Sequence, residues 1–464
     1  MPNYFNNIVQ LNVSQTLAPE PNLLQQTAAV VSMGGTTVPA GTTQYIASSS
    51  DLADHIIPAY DISAISWSAG VVTVVTTNPH GIPVGSTTNI IVAGCTPSGY
   101  NGSFVATSYN TTTLNYAVAT NPGASSVLGT IRVGTQADLS AFDTTWWGQG
   151  NTQVGYYIFE TGTAVIADVY TSVKAYLDAN PLTIYNWCFL PGMDTDAAAG
   201  HAWLLTHNAL TAIIKFYMPV SVSTYAAWDG FNTLRNTFIM IQSPSAAIGS
   251  ELDIASFVQY ITAFNPTPTH KLPPSCYTFL NAVSAYSPLT QATSNAFVDN
   301  NVNFVTTGAE GGISNTIIVP GKNLDGTPSN VAFSIDWVQI HMNQDISNAV
   351  INGSNNPESP LYYNQDGINF LQQVASATAN RAISTGLALG RVVTVALDPD
   401  VFATNVSLGL YRGQFVINAV PFSIYTAQNP SDYANQIYGG LQAAYTPQYG
   451  FQTIVFNLNV TQFA

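Results

Sequence analysis

The sequence predicts a multidomain α+β / α/β protein, with a core of mixed sheets and packed helices, an inserted small all-β domain, and an apolar strand near each end. Three observations predict it. Residues of about 135–265 alternate short apolar strands with helical segments, the pattern of helices laid on a sheet. Residues 62–133 are almost all strand and turn, with NPHG, VGS, PSGYNG and SYN at short intervals between Val/Ile/Thr/Tyr runs. That spacing predicts a sandwich, immunoglobulin-like, or a barrel. IVQLNVSQ (8–15) and IVFNLNVTQ (454–462) share one period-two pattern. Val9, Leu11 and Val13 form one row, and Ile454, Phe456, Leu458 and Val460 the other. An apolar strand at a chain end needs a sheet to join, either in its own chain or, by strand addition, in a neighbouring copy.

Taken in order, Leu17–Leu24 reads as extended. Ala28–Met33 reads as a buried strand, followed by a Gly/Pro loop and a strand Thr43–Ile46. Ser48–Ser50 caps a short helix from Asp51. Helical text on both sides of 62–133 marks that stretch as an insertion. Beyond it the chain reads as helix Ala164–Leu177, strand Thr183–Leu190, helix Asp196–Thr211, strand Ile213–Val220, helix Ser223–Arg235, strand Phe238–Gln242 and helix Ser250–Thr262. Prolines extend 264–274. Then follow helix Leu289–Asn303, TGAEGG (307–312) as a turn, strand Thr316–Val319, the turn NLDGTPS, and two amphipathic helices, Ile335–Asn348 and Asp366–Leu387. Strands Val392–Leu397, Leu408–Tyr411 and Phe415–Ala419, a helix Ser431–Tyr445 and the terminal strand complete the chain.

Composition narrows function. Lys+Arg is 9 against 24 Asp+Glu, a net charge of −15, which opposes phosphate-neutralising grooves and anionic membranes. Charged residues are 7 % of the chain, far below the roughly 25 % of ordinary soluble domains. A surface of Asn, Ser, Thr, Gln and Tyr is easier to desolvate than an ionic one and suits extensive protein contact. Cys95, Cys188 and Cys276 are too sparse for a disulfide framework or a metal knuckle. Cys188 reads as core. No apolar run reaches membrane length. MPNYFNNIVQ lacks the basic and apolar parts of a signal peptide.

Catalytic chemistry is weakly represented. Asp194, Asp196, His201 and His207 cluster in GMDTDAAAGHAWLLTH, but histidines six apart do not share a helix face, and the cluster reads as a capped helix. Glu160 has no visible acid–base partner. Neither a phosphate loop nor a nucleophile elbow occurs. Catalytic, cofactor-binding and metal residues are therefore not assigned, and no cofactor is expected. Tyr100, Asn101 and Tyr109 of the insert are candidates for an outward-surface contact.

The order of parts resembles the contractile tail sheath proteins of tailed bacteriophages, kin to the sheaths of R-type pyocins and type VI secretion machines. The resemblance lies in VSMGGTTVPAGTTQYIASSSDLADHI, in NPTPTHKLPPSCYTFLNAVSAYSPLTQATSNAFVDNNVNFV with its N-x-N strand, and in IDWVQIHMNQDISNAV followed by YYNQDGINFLQQVASATANRAISTGL. It spans most of 1–60 and 135–464. It implies an N-terminal strand arm (1–20), an α/β sheath domain (21–61 and 134–265), an outward-facing insert (62–133), a C-terminal sheath domain (266–448) and a C-terminal strand arm (449–464). It further implies a non-enzymatic subunit that polymerises around an inner tail tube, with six subunits per ring, and that is joined to its neighbours by exchanged strands. The implied partners are other copies, the tail tube protein, and baseplate and tail terminator proteins, with neither nucleic acid nor membrane insertion. The implied location is the virion, after assembly in the bacterial cytoplasm. The departure is the scarcity of charge on the candidate tube-facing helices, which carry Asp336, Asp345, Asp366 and Arg381. A virion adhesin using the insert is the alternative, and a hydrolase using Asp194, Asp196 and His201 ranks behind it.

Overall fold

A computed structural model of the chain describes residues 21–56, 59–78, 80, 85, 87–133, 136–150, 154–163, 165–208, 213–228, 230–244, 251–310, 313–390 and 415–450. Both terminal strands, and the strands expected at Val392–Leu397 and Leu408–Tyr411, lie outside these residues.

Pro21–Gln26 forms a 3₁₀ helix rather than an extended lead-in, because Leu24 turns into the core. β1 (Ala28–Ser32) is buried along its whole length, as a strand covered on both faces must be. β2 (Thr43–Ile46) follows, and α1 (Ser49–His55) starts where the Asp51 carboxylate accepts from the backbone N–H groups of Ala47 and Ser48.

The chain then leaves for a separate body. β3 (Tyr60–Ser68), β4 (Val71–Thr76), β5 (Thr87–Ala93), β6 (Gly102–Ser108), β7 (Thr113–Ala117) and β8 (Thr130–Val133) close into a barrel in the order β3-β4-β7-β6-β5-β8. Of the two expected architectures the barrel is the one formed. The immunoglobulin-like description is corrected, since closure leaves no pair of facing sheets. Ile62, Val72, Val74, Ile90, Leu114 and Ile131 fill a core of their own. Gly129 is required at the seam, because a Cβ there would strike the Ala93 carbonyl.

The barrel departs between α1 and α2 (Gln136–Gly148), which touch each other: the Ser49 hydroxyl donates to Asp143 at 2.6 Å. Next come β9 (Tyr156–Glu160), α3 (Ile166–Ala179), β10 (Asn186–Cys188), α4 (Ala197–Thr206), β11 (Lys215–Val220), β12 (Thr237–Ile241) and α5 (Asp253–Ala263). The sheet runs β12-β11-β10-β1-β9-β2, all parallel except the edge strand β2. Ser223–Arg235 is not a helix. Only Tyr225–Trp228 makes a 3₁₀ turn, because Gly230 sits at φ +79° while Trp228 and Leu234 both drop into the core.

α6 (Gln291–Asp299) leads into the hairpin β13 (Phe304–Glu310) and β14 (Ile313–Val319), so Thr307–Glu310 is strand rather than turn. Asn303, the last residue of the N-x-N motif, extends the main sheet beside β12. Its backbone bridges Ile239 and Ile241, and its amide donates to the carbonyls of Ile239 and Lys322. α7 (Ser329–Ser354) and α8 (Gln365–Ser384) form a helical hairpin. β15 (Val416–Ala419), α9 (Phe422–Gln428), α10 (Pro430–Ala434) and β16 (Leu441–Ala444) follow. The helix expected over Ser431–Tyr445 stops at Ala434. Gln436 takes φ +59°, and Gly439–Gly440 lets the chain reverse into β16. The main hydrophobic core runs without a break from β1 through Trp337 to Ala388.

Candidate assembly interface

β15 and β16 make a two-stranded antiparallel ladder, in which Val416 faces Ala444 and Asn418 faces Gln442. One face of it, Phe415 and Ile417 with Leu441, packs on Ala375 and Ala379 of α8. Val420 N–H donates to the Gly440 carbonyl. Residues 440, 442 and 444 are therefore the hydrogen-bonded set, and Leu441 and Ala443 direct their backbone groups outward. Among the described residues no backbone bond reaches those outward groups, and Ala443 is exposed. On β15 the outward carbonyl of Ile417 is already held by Gln372 Nε2 at 2.8 Å. Among the described residues β16 therefore keeps its outward groups unbonded, while β15 has one of its own already taken.

Aromatic packing fixes this ladder. Tyr363 sits within 5.4–6.1 Å of Phe422, Tyr433 and Tyr438. Tyr438 donates to the Val420 carbonyl at 2.7 Å, and Tyr363 to that of Ile437 at 2.8 Å. Beside it lies a groove of about 820 Å³, walled by Ile346, Val350, Leu361, Tyr362 and Ile368, with Leu441 of β16 at its rim. An unpaired edge next to an uncharged apolar groove is the arrangement that accepts an added strand.

The helical hairpin is tied to the parallel sheet by a buried ionic cluster. Asp336 of α7 is 1 % exposed. Its carboxylate accepts from Tyr185 Oη at 2.6 Å and from Arg235 Nη1 at 3.1 Å, with Lys215 Nζ 3.9 Å away. Burial lowers the Lys215 ammonium to about 8 despite Asp336, so desolvation outweighs that long contact. Asp336, expected on a candidate tube-facing helix, is turned into the core instead. A lysine opening the all-buried strand KFYMPV was the available signal of a hidden anion.

Buried ionisation sets a pH signature. Burial raises Asp253 to about 7, and the Ser243 N–H bond at 2.7 Å only partly offsets this. Between the ordinary 3.8 and about 7 the folded chain binds the extra proton, so stability falls as pH rises through that window. For Lys215 the unfolded chain binds it between about 8 and 10.5, so stability rises there. These two groups slope stability in opposite directions on either side of neutral pH, each by at most about 1.4 kcal/mol per pH unit, and Asp138, raised by burial to about 6, adds to the acid-side slope. Asp253→Asn is expected to lessen the acid-side slope, read as the difference in urea midpoints between variant and parent from pH 4 to pH 8.

The other sequence candidates are engaged in structure. Asp196 caps α4 by accepting from Ala199 N–H at 3.0 Å. Asp194 is buried and accepts from the Gly192 and Ser221 N–H groups and the Thr224 hydroxyl. His201 stacks on Phe231, His207 packs at a tilt against Trp203, and among the described residues no hydrogen bond joins either to the aspartates. Burial raises Glu160, whose carboxylate is surrounded by the Ser32 and Thr36 hydroxyls and the Gly162 N–H. In the insert, Tyr100 is 2 % exposed and donates to the Gly123 carbonyl, and Asn101 is bonded to both backbone groups of Cys95. These two are structural, a correction to their placement on an outward surface. Tyr109 remains, at 69 % exposure. Asp345 and Arg381 pair with each other at 2.8 Å across the hairpin.

The parallel strands, read in chain order, lie 2-1-3-4-5, an order that can hold a ligand at the carboxyl ends where it reverses. At the carboxyl ends of this sheet, Glu160 at the end of β9 and Asp194 after β10 are each held by their own backbone and hydroxyl partners. Among the described residues no group of His, Cys, Asp and Glu could hold a metal ion, and no helix is long and apolar enough to cross a membrane.

No protein-family model matches the chain, and no curated protein matches it significantly. Solved structures do match. A chain of the anti-feeding prophage helical sheath in its contracted state aligns over 93 % of this chain and 92 % of its own, with TM-score 0.51 and 11 % identity. The chain has a contractile-sheath fold. A chain of the anti-feeding prophage baseplate, 6-fold symmetrised, aligns over 95 % and 94 %, with TM-score 0.52 and 11 % identity. One of the contracted-state baseplate covers 98 % of both chains, with TM-score 0.50 and 9 % identity. At such identity the sheath fold is what is shared.

Proposed function

We infer that this protein is the subunit of a contractile phage tail sheath, which polymerises around an inner tube by strand exchange and shortens to drive the tube through the host envelope. The open edge of β16 beside the apolar groove carries this reading, since the sequence supplies two strands of matching alternation, 8–15 and 454–462. Backbone bonds of an added strand are tolerant of side-chain rearrangement, so such links hold while the rest of the subunit surface repacks. The sheath and baseplate assemblies that share the fold support self-association and a place in the virion. With Asp336 buried and Asp345 neutralised by Arg381, the hairpin offers little charge to a tube. On this reading the tube contact is chiefly apolar and amide in character, and the barrel faces outward.

Electron microscopy of the full-length chain beside one lacking 1–16 and 453–464 tests the reading. Tubes or stacked rings are expected from the first and folded small particles from the second. Assembly that survives the deletion would refute strand exchange, and the barrel as an adhesive head would then be the better reading.

A further inference from the structure

Asn418 lies in the apolar run FVINAV at the centre of β15 and is 1 % exposed, yet neither atom of its amide makes a hydrogen bond among the described residues. Buried amides without partners are costly, and those that persist call for an explanation. Its cross-strand partner is Gln442, which is exposed. Directly paired residues share a face, so the two amides stand side by side on the face opposite the one packed against Ala375 and Ala379.

We propose that Asn418 and Gln442 set the register of the strand that joins β16, which is the C-terminal strand of a second copy. This rests on the strand-exchange reading and names its specificity residue. Residues 451–464 follow the last described residue, Gly450, and alternate Ile454, Phe456, Leu458 and Val460 with Val455, Asn457, Asn459 and Thr461. With the first row continuing the face of Ile417 and Leu441 onto α8, Asn457 and Asn459 fall on the amide face. An asparagine then stands beside Gln442, which bridges it to Asn418 in a row of three amides. A slip of one residue would push Phe456 over the amides and an asparagine into the apolar face, so the row penalises misregister.

The test uses the full-length chain and the critical concentration for assembly, read by sedimentation. Asn418→Leu, nearly isosteric, is expected to melt no lower than the parent as a monomer while raising the critical concentration about tenfold. Asn457→Leu with Asn459→Leu should do the same, and all three together should be no worse than either set, because they remove one row. Unchanged assembly by Asn418→Leu, or losses that simply multiply, would overturn the proposal. So would a chain in which Gln10→Leu with Asn12→Leu, and not the C-terminal pair, reproduces the defect. If deletion of both 1–16 and 453–464 leaves assembly intact, strand exchange itself fails. If deletion abolishes assembly while Asn418→Leu is silent, only the register assignment fails.

Discussion

Asp336→Ala should destabilise the protein by about 3–5 kcal/mol, the largest effect expected of any single charge removal here. The carboxylate is the shared acceptor for Tyr185 Oη and Arg235 Nη1 and lies nearest the Lys215 ammonium. Taking it away leaves two cations and a phenol in a site closed to water. The ammonium donates to the Arg235 carbonyl at 3.1 Å, but that bond supplies no counter-charge. Equilibrium urea unfolding should show the main transition shifted to much lower denaturant, with soluble yield reduced. Asp336→Asn, which keeps acceptor geometry without charge, should fall between parent and alanine. The triple change Lys215→Met, Arg235→Met, Asp336→Leu should recover most of the loss, because a matched apolar set avoids the desolvation that the cluster bears. An alanine variant as stable as the parent would show that the cluster does not hold α7 on the sheet.

Ala443→Pro should abolish assembly while leaving the subunit folded. The N–H of Ala443 faces away from β15, so the existing ladder does not use it, and proline is tolerated on such an edge. An added strand would need that donor and would meet the ring instead. Circular dichroism and melting should match the parent within a few degrees, with no tubes or rings at concentrations where the parent assembles fully. Gln442→Pro is the contrasting change. It removes a donor from the ladder itself and should lower the melting temperature. Normal tubes from Ala443→Pro would place the receiving edge elsewhere.

Much of this was readable before any coordinates, and for identifiable reasons. The alternation in Val71–Thr76, the capped start at Ser48–Asp51, and the apolar strands of 215–220 and 237–241 are local patterns. The backbone follows them because each buries its apolar row without needing to know its neighbours. β9 is a strand that local sequence patterns miss, although Glu160 lies within it. YYIFE is short and unpunctuated, and its pairing partners are β1 and β2, more than a hundred residues away.

By itself the sequence determined a charge-poor, acidic chain with an inserted β module and an alternating strand–helix core, and it carries matching period-two patterns at 8–15 and 454–462. These depend on composition and on periods of two and 3.6, which chain-local physics enforces. Tertiary structure alone decided that the insert closes into a barrel, that Tyr100 turns inward and Asn101 is tied to the Cys95 backbone, that Asp336 is a buried hub, and that β16 keeps its outward backbone groups unbonded among the described residues. Each of these depends on which distant group occupies the space or takes the hydrogen bond, and local sequence does not encode that.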